Sequence, residues 1–99
     1  MPRLESAFKP RVLNFITTEL LPGSLALHQD ANLLQGIPDT QILFERRWGF
    51  LEFKRSANAK PRPNQPYYVE LLNRMSFARF IYPENEWEVL RELESALRS

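Results

Sequence analysis

Two neighbouring stretches in the middle of the chain have the composition of β-strands joined by a tight turn. Residues 40–44 and 47–54 are rich in β-branched and aromatic side chains, which favour extended backbone. Glu45 and Arg46 lie between them and would form a polar two-residue turn. The sequence therefore predicts a β-hairpin, and the charged residues on its arms are the candidates for chemistry.

The register of this hairpin would place Asp39 directly opposite Glu52. Two like charges in opposed positions destabilise a sheet, and a hard divalent cation with oxygen ligands is the usual group that makes such a pair tolerable. Lys54 lies two residues beyond Glu52, so its side chain would project from the same face. The predicted chemistry is that of two carboxylates sharing a cation, with one ammonium group beside them.

Two alternatives to this arrangement stay open from the residues alone. Glu45-Arg46 is not an Asn-Gly or Asp-Gly turn, and a three-residue turn would shift the pairing and move Asp39 away from Glu52. The charges could also belong to a solvated strand edge, because short acidic and basic motifs are common on hairpins.

Composition narrows the class of protein. The chain has 99 residues, of which 43% are hydrophobic and 25% are charged, as in an ordinary globular domain. We expect one domain over residues 1–99, without a signal peptide or a membrane span, and a cytoplasmic setting. The absence of cysteine excludes disulfides and Cys-based zinc sites, and His28 is the only histidine, which disfavours a His-rich site.

Charge is unevenly distributed along the chain. The formal net charge is only +1, which disfavours tight non-specific binding of nucleic acid. Basic residues nevertheless crowd the hairpin and the loop that follows it, namely Arg46, Arg47, Lys54, Arg55, Lys60 and Arg62. Acidic residues concentrate near the C-terminal end, so one basic face would suit a polyanionic partner.

The elements around the hairpin follow from hydrophobic spacing. A first helix is predicted from Leu4 to about Leu21, either starting at a Ser6 cap or beginning before Glu5 and bending at Pro10. A short strand over 24–28 precedes the hairpin. After the hairpin come a helix opened by residues 63–65 and continuing to about Met75, a strand over 77–82 and a helix over 84–97.

This order is α-β-β-β-α-β-α, and it predicts an α/β fold. Both faces of the hairpin carry apolar side chains, so we expect helices on both faces of a mixed sheet. Two sets of helical residues are expected to face inward: Tyr68, Leu71, Leu72 and Met75 in the second helix, and Trp87, Leu90, Leu93 and Leu97 in the third.

The motif residues resemble a known family. Gly36-Ile37-Pro38-Asp39, then residues 51–55 (Leu-Glu-Phe-Lys-Arg), then a Pro-rich basic loop ending in Asn64-Gln65, are similar to the PD-(D/E)xK nuclease superfamily. Within it the chain resembles small stand-alone VRR-NUC domains and Holliday-junction resolvases. The resemblance implies a single small restriction-endonuclease-like domain.

The resemblance also implies a ligand set and a reaction. Asp39, Glu52 and the backbone carbonyl of Phe53 would bind Mg²⁺ or Mn²⁺ for hydrolysis of a DNA phosphodiester. Lys54 and Gln65 would orient the attacking water or the phosphate. Nucleases of this superfamily carry an acid on the first helix, for which Glu5 is the first choice and Glu19 the second. Whether one or two ions act stays open.

Partners follow from the same resemblance. Arg46, Arg47, Arg55, Lys60 and Arg62 would contact the DNA backbone, and the protein would act as a homodimer without an organic cofactor. Junction-selective cleavage is one expectation, although the low net charge is unusual for a junction enzyme. The alternative is a catalytically inactive DNA-binding or assembly module that has kept the nuclease fold.

Overall fold

The computed structural model describes residues 4–30 and 34–99, with side chains from residue 7 onward. It contains three α-helices and four β-strands in these residues: α1 (Leu4–Phe15), β1 (Leu25–His28), β2 (Thr40–Phe44), β3 (Arg47–Phe53), α2 (Gln65–Met75), β4 (Ala78–Ile81) and α3 (Glu86–Arg98). A π-helical turn (Ile16–Leu20) follows α1, and a 3₁₀ turn (Pro83–Asn85) precedes α3. Over the described ranges, every helix is too short or too polar to cross a bilayer.

The four strands form one mixed sheet in the order β1-β2-β3-β4. β1 pairs with β2 and β2 with β3 in antiparallel fashion, whereas β4 runs parallel to β3. The parallel pair requires a crossover, and α2 supplies it. This topology confirms the predicted α/β class and the predicted order of elements.

Helices cover both faces of the sheet, as the two-sided apolar hairpin predicts. On one face, α1 and α3 pack against the buried strand residues Ile42, Leu51 and Ile81. On the other face, which we call the α2 face, Val69 of α2 packs with Phe50 and Ala78. Side chains alternate along β3, so Glu52 shares the α2 face with Phe50.

The first helix extends to Leu20, close to its predicted end, but changes from α to π geometry at Ile16. It begins at Leu4 and contains Pro10, so of the two predicted alternatives the start before Glu5 is observed and the Ser6 cap is not. The α-helix stops at Phe15, and the Leu21 amide then donates to the Ile16 carbonyl at 2.8 Å, which is a π-type bond. The Thr18 hydroxyl donates to the Asn14 carbonyl at 2.7 Å and so competes with the regular helical bonds.

The inward faces of α2 and α3 differ from the prediction, and Tyr68, Leu71 and Leu72 of α2 are only half-buried. Met75 and Trp87 are 64% and 65% exposed. The buried residues of α2 are Gln65 and Val69, so its inward stripe begins with a polar side chain that a count of apolar residues does not detect. In α3 the buried stripe includes Val89 instead of Trp87. The exposed Trp87 ring makes an edge-on contact with the Phe15 ring, with centroids 5.8 Å apart.

Candidate active site

The hairpin brings Asp39 and Glu52 together. β2 and β3 pair Thr40 with Leu51 and Phe44 with Arg47, which confirms the two-residue turn and its register. One step further along this register, the backbone N–H of Asp39 donates to Oε1 of Glu52 at 3.0 Å. Asp39 and Glu52 therefore lie at the same end of the hairpin, where both line one cavity.

Glu52 is a buried carboxylate. It is only 5% exposed, because α2 covers this part of the sheet. Burial, reinforced by the negative charge of Asp39, raises the pKa of Glu52 to about 7, although Lys54 and two hydrogen bonds oppose the shift. Perturbed carboxylates of this kind are typical of functional sites.

Gln65 links Glu52 to the Lys54 ammonium group and to the backbone of Arg62. Its Nε2 donates to Oε2 of Glu52 at 3.0 Å. Its Oε1 accepts from Nζ of Lys54 at 2.7 Å and from the backbone N–H of Arg62 at 2.8 Å. Nζ of Lys54 is also 3.8 Å from Oε2 of Glu52. The structure therefore brings together Asp39, Glu52, Lys54 and Gln65, the four central residues of the predicted site.

A close approach between two loops places Gln65. Gly36 has φ +93°, and a Cβ atom at this position would lie 2.6 Å from Cβ of Asn64 and 2.8 Å from its carbonyl carbon. Asn64 itself has φ +71° and precedes the first residue of α2. Glycine therefore permits the segment before Asp39 to touch the start of α2, so that Gln65 reaches Glu52.

Two partners of Asp39 were not predicted. The Thr40 hydroxyl donates to Oδ1 of Asp39 at 2.8 Å, and Nζ of Lys9 on α1 lies 3.6 Å from Oδ2. Thr40 follows Asp39 directly in the sequence, so its contact could have been proposed. Lys9 reaches Asp39 only because α1 packs against the sheet, and no local pattern indicates that contact.

Glu5 and Glu19, the two candidates for an acid that the first helix supplies to the site, lie in different parts of that helix. Glu5 lies in α1, one helical turn before Lys9, and its side chain is outside the described residues. Glu19 is exposed in the π-helical turn. The role of an acid from this helix stays a prediction.

A cavity of about 510 Å³ opens beside the four central residues. Six further residues contribute to its lining: His28, Gln29, Asp30, Ile37, Phe53 and Arg62. His28, at the end of β1, was not expected there. The cavity gives the Glu52–Gln65–Lys54 network access to a ligand from outside.

The predicted DNA-contacting residues divide into two groups. Arg62 lines the large cavity, and Arg55 lines a smaller adjoining one of about 190 Å³. Lys60 is exposed in the same loop. Arg46 and Arg47 lie at the hairpin turn, five residue pairs from Asp39 and Glu52, which corresponds to roughly 17 Å along the strands. The roles of all five in DNA binding stay predictions.

The donor set is compatible with a divalent cation. Two carboxylates that line one cavity supply hard oxygen ligands, and their mutual repulsion is the cost that a cation would relieve. Among residues with described side chains, no group of three His, Cys, Asp or Glu residues is placed to hold an ion. A cation here would therefore use Asp39, Glu52, backbone carbonyl and water oxygens, a set that suits Mg²⁺, which retains several waters.

Comparison with known proteins identifies the fold. No protein-family model matches the chain, and no curated protein matches its sequence. A solved structure described as "VRR_NUC domain protein" superimposes with a TM-score of 0.68 at 16% identity, covering 99% of this chain and 91% of that one. Another, described as "VRR_NUC domain", gives a TM-score of 0.60 at 22% identity, with coverage of 88% and 94%. The chain therefore has the VRR-NUC nuclease fold, as the resemblance of its motif residues predicts.

Proposed function

We propose that this protein is a metal-dependent DNA endonuclease that hydrolyses phosphodiester bonds. The observation that supports this most strongly is the convergence of Asp39, Glu52, Lys54 and Gln65 at one cavity of a nuclease fold. A module that binds DNA without cleaving it would have no evident use for a buried carboxylate with its pKa raised to about 7 beside a half-buried ammonium group.

Asp39, Glu52 and the carbonyl of Phe53 would hold Mg²⁺ or Mn²⁺, with Glu5 as a further contributor through water. Such an ion supplies Lewis-acid activation of the phosphate and a bound water of lowered pKa. The protein residues around it have separate tasks. Gln65 holds the Glu52 carboxylate in one orientation through its Nε2 group. It holds the Lys54 ammonium group through Oε1.

Lys54 is the residue that would act on the reacting atoms. Its Nζ, fixed between Gln65 and Glu52, faces the cavity. A positioned ammonium group stabilises negative charge that develops on a phosphate during in-line attack, and it orients the attacking water. Arg62, at the edge of the same cavity, would hold an adjoining phosphate of the DNA strand.

The resemblance also supports action as a homodimer that cuts two strands, including those of junction DNA. Candidate contact surfaces are the edge strand β4 and helix α3, where Trp87 is 65% exposed. Sedimentation equilibrium should return twice the chain mass of 11.7 kDa. A mass of 11.7 kDa at micromolar concentration would contradict the dimer.

Cleavage assays test the proposed activity. Supercoiled plasmid, linear duplex, flap and four-way-junction DNA would each be incubated with the protein in Mg²⁺, in Mn²⁺ and in EDTA. We expect cleavage with either metal, none in EDTA, and a loss of at least about a hundredfold in Asp39→Ala and Lys54→Ala.

Glu70→Ala is the matched control, because it removes an exposed carboxylate of α2 that does not line the cavity, and it should cleave like wild type. Cleavage that persists in EDTA or in Asp39→Ala would overturn the metal-dependent reaction. DNA binding without cleavage of any substrate in either metal would instead support an inactive DNA-binding module.

A further inference from the structure

Lys9 is a cation that approaches the site from the opposite side of the sheet to α2. It lies on α1, and its Nζ is 3.6 Å from Oδ2 of Asp39 and 5.5 Å from the centre of the Phe53 ring. Phe53 in turn packs edge-on against Phe8 at 5.8 Å. The contact between helix and strand therefore fixes the Lys9 stem and aims its ammonium group at Asp39.

Lys9 contacts Asp39 through an ion pair that is longer than the hydrogen bonds made to the two carboxylates. Oδ1 of Asp39 and both oxygens of Glu52 accept hydrogen bonds of 2.8–3.0 Å from Thr40, the Asp39 amide and Gln65. The Lys9–Asp39 ion pair is longer, and the Lys9 side chain is 31% exposed. A long side chain with access to solvent can leave its partner without leaving a charge buried.

Lys9 and Lys54 balance the negative charges of Asp39 and Glu52. Asp39 and Glu52 carry two negative charges when both are ionised, and Lys9 and Lys54 carry two positive charges at distances of 3.6 Å and 3.8 Å. The ammonium group of Lys54 also donates a hydrogen bond to Gln65. Within the described residues, the ammonium group of Lys9 has the ion pair with Asp39 and no side-chain hydrogen bond. Lys9 is therefore the cation that a divalent ion would displace on binding.

We propose that Lys9 is an internal counter-ion of Asp39 that competes with the divalent cation and so sets the metal affinity of the site. This inference depends on the proposed function, because it assumes that Asp39 and Glu52 bind a cation. The displaced ammonium group remains in the smaller cavity that Lys9 lines with Arg55, where it faces an incoming phosphate. One residue thus stabilises the protein before metal binds and contributes to DNA binding afterwards.

A titration with Mn²⁺, followed by electron paramagnetic resonance of the free ion, tests this proposal without DNA. Lys9→Met keeps the apolar stem over Phe53 and removes the charge. We expect it to bind Mn²⁺ about threefold to tenfold more tightly than wild type, because a competing and repelling charge is gone. Lys9→Arg retains the charge and should stay within about twofold of wild type.

Arg74→Met is the matched control, because it removes a positive charge from an exposed position of α2 that does not line either cavity. Its affinity for Mn²⁺ should equal that of wild type, and circular dichroism melting would confirm that each variant is folded. Equal affinities of wild type and Lys9→Met, or equal tightening in Arg74→Met, would overturn the role of Lys9 while leaving the metal site in place. Failure of both wild type and Lys9→Met to bind Mn²⁺ would overturn the proposed metal site together with this inference.

Discussion

At the scale of single residues, Glu52 bears the main electrostatic cost of the site. Its carboxylate is 5% exposed and lies beside the charge of Asp39. Its three hydrogen-bond and ion-pair partners, Asp39 N–H, Gln65 and Lys54, only partly offset this cost. The protein therefore maintains an acid that is easily protonated near neutral pH, which a bound cation would ionise fully.

The raised pKa of Glu52 makes the free energy of unfolding depend on pH. The pKa of Glu52 rises from 4.5 to about 7 in the folded chain, so its contribution to stability is fully present below pH 4.5 and is lost as pH rises through 7. Glu52→Gln removes this titration. In EDTA, the free energy of unfolding of the variant relative to wild type should increase by about 1–2 kcal/mol between pH 5 and pH 8.

Urea denaturation of both proteins at the two pH values measures this change, and comparison of the two proteins cancels the titration of all other groups. A difference in stability that is the same at pH 5 and pH 8 would mean that the pKa of Glu52 is not raised in the folded chain.

Residues of the site differ in how far the sequence reveals them. Asp39, Glu52 and Lys54 can be found from strand period and turn length, because hairpin pairing is a local property. Gln65 required the family resemblance, since a first-turn glutamine is ordinarily exposed and this one is buried. Lys9 could not be found, because its contact depends on how a distant helix packs on the sheet.

At the scale of elements, the junction between the segment before β2 and the start of α2 determines the geometry of the site. Gly36 and Asn64 touch, and both have positive φ. This contact sets the distance between Glu52 on β3 and Gln65 on α2. The first buried residue of α2 is the polar Gln65, which adds no apolar packing. The contact between Gly36 and Asn64 therefore holds the start of the helix against the sheet.

Gly36→Ala should therefore damage both stability and activity. Gly23 offers a matched control, since it has φ +88° but nothing within 4 Å of an added Cβ. Gly23→Ala should cost about 1 kcal/mol from backbone strain alone. Gly36→Ala adds a clash with the Asn64 backbone and should cost roughly 1–3 kcal/mol more, with cleavage reduced at least about tenfold.

Chemical denaturation and cleavage assays of the two variants measure these effects. Equal destabilisation of the two variants, with cleavage retained in Gly36→Ala, would show that the contact with Asn64 does not position Gln65.

The elements themselves were predicted with uneven success. The bounds of β2 agree with the sequence prediction, because alternating side chains and a short turn define a hairpin locally. The change to π-helix at Ile16 and the exposure of Met75 and Trp87 were not predicted. These depend on threonine back-bonding and on which side of each helix meets the sheet, neither of which hydrophobic spacing determines.

At the scale of the whole molecule, the cations proposed to contact DNA lie in two separate groups. Lys9, Arg55 and Arg62 surround the two cavities, and Arg46 lies at the hairpin turn, roughly 17 Å from the Asp39–Glu52 pair. Duplex DNA rises 3.4 Å per base pair, so this separation corresponds to about five base pairs. The fold would therefore contact a length of duplex on one side of the cleavage position.

DNA length should separate the two groups of cations. Arg62→Ala should weaken binding to short and long substrates alike, by roughly tenfold, because under the proposed function Arg62 would contact a phosphate beside the cleaved bond. Arg46→Ala should weaken binding only to substrates that extend more than about five base pairs from that bond. Fluorescence anisotropy in Ca²⁺ measures the DNA affinity of both variants on a short and a long duplex. Equal losses on both lengths for Arg46→Ala would contradict the proposed path of the DNA.

The overall architecture was the most predictable feature of the chain. Order of elements, apolar faces and the motif from Gly36 to Gln65 together predict the VRR-NUC nuclease fold, and the superposition on two such domains confirms it. The direction from which α1 supplies Lys9 was not predictable, since it follows from the packing of Phe8 on Phe53 across the sheet.

The most direct measurement is anomalous diffraction from crystals grown with MnCl₂, with data collected near the manganese absorption edge. We expect an anomalous difference peak within coordination distance of the Asp39 and Glu52 carboxylates, and no peak there in crystals of Asp39→Asn. A map of the wild-type protein without a peak between these two carboxylates, at a Mn²⁺ concentration that supports DNA cleavage, would contradict the shared cation site.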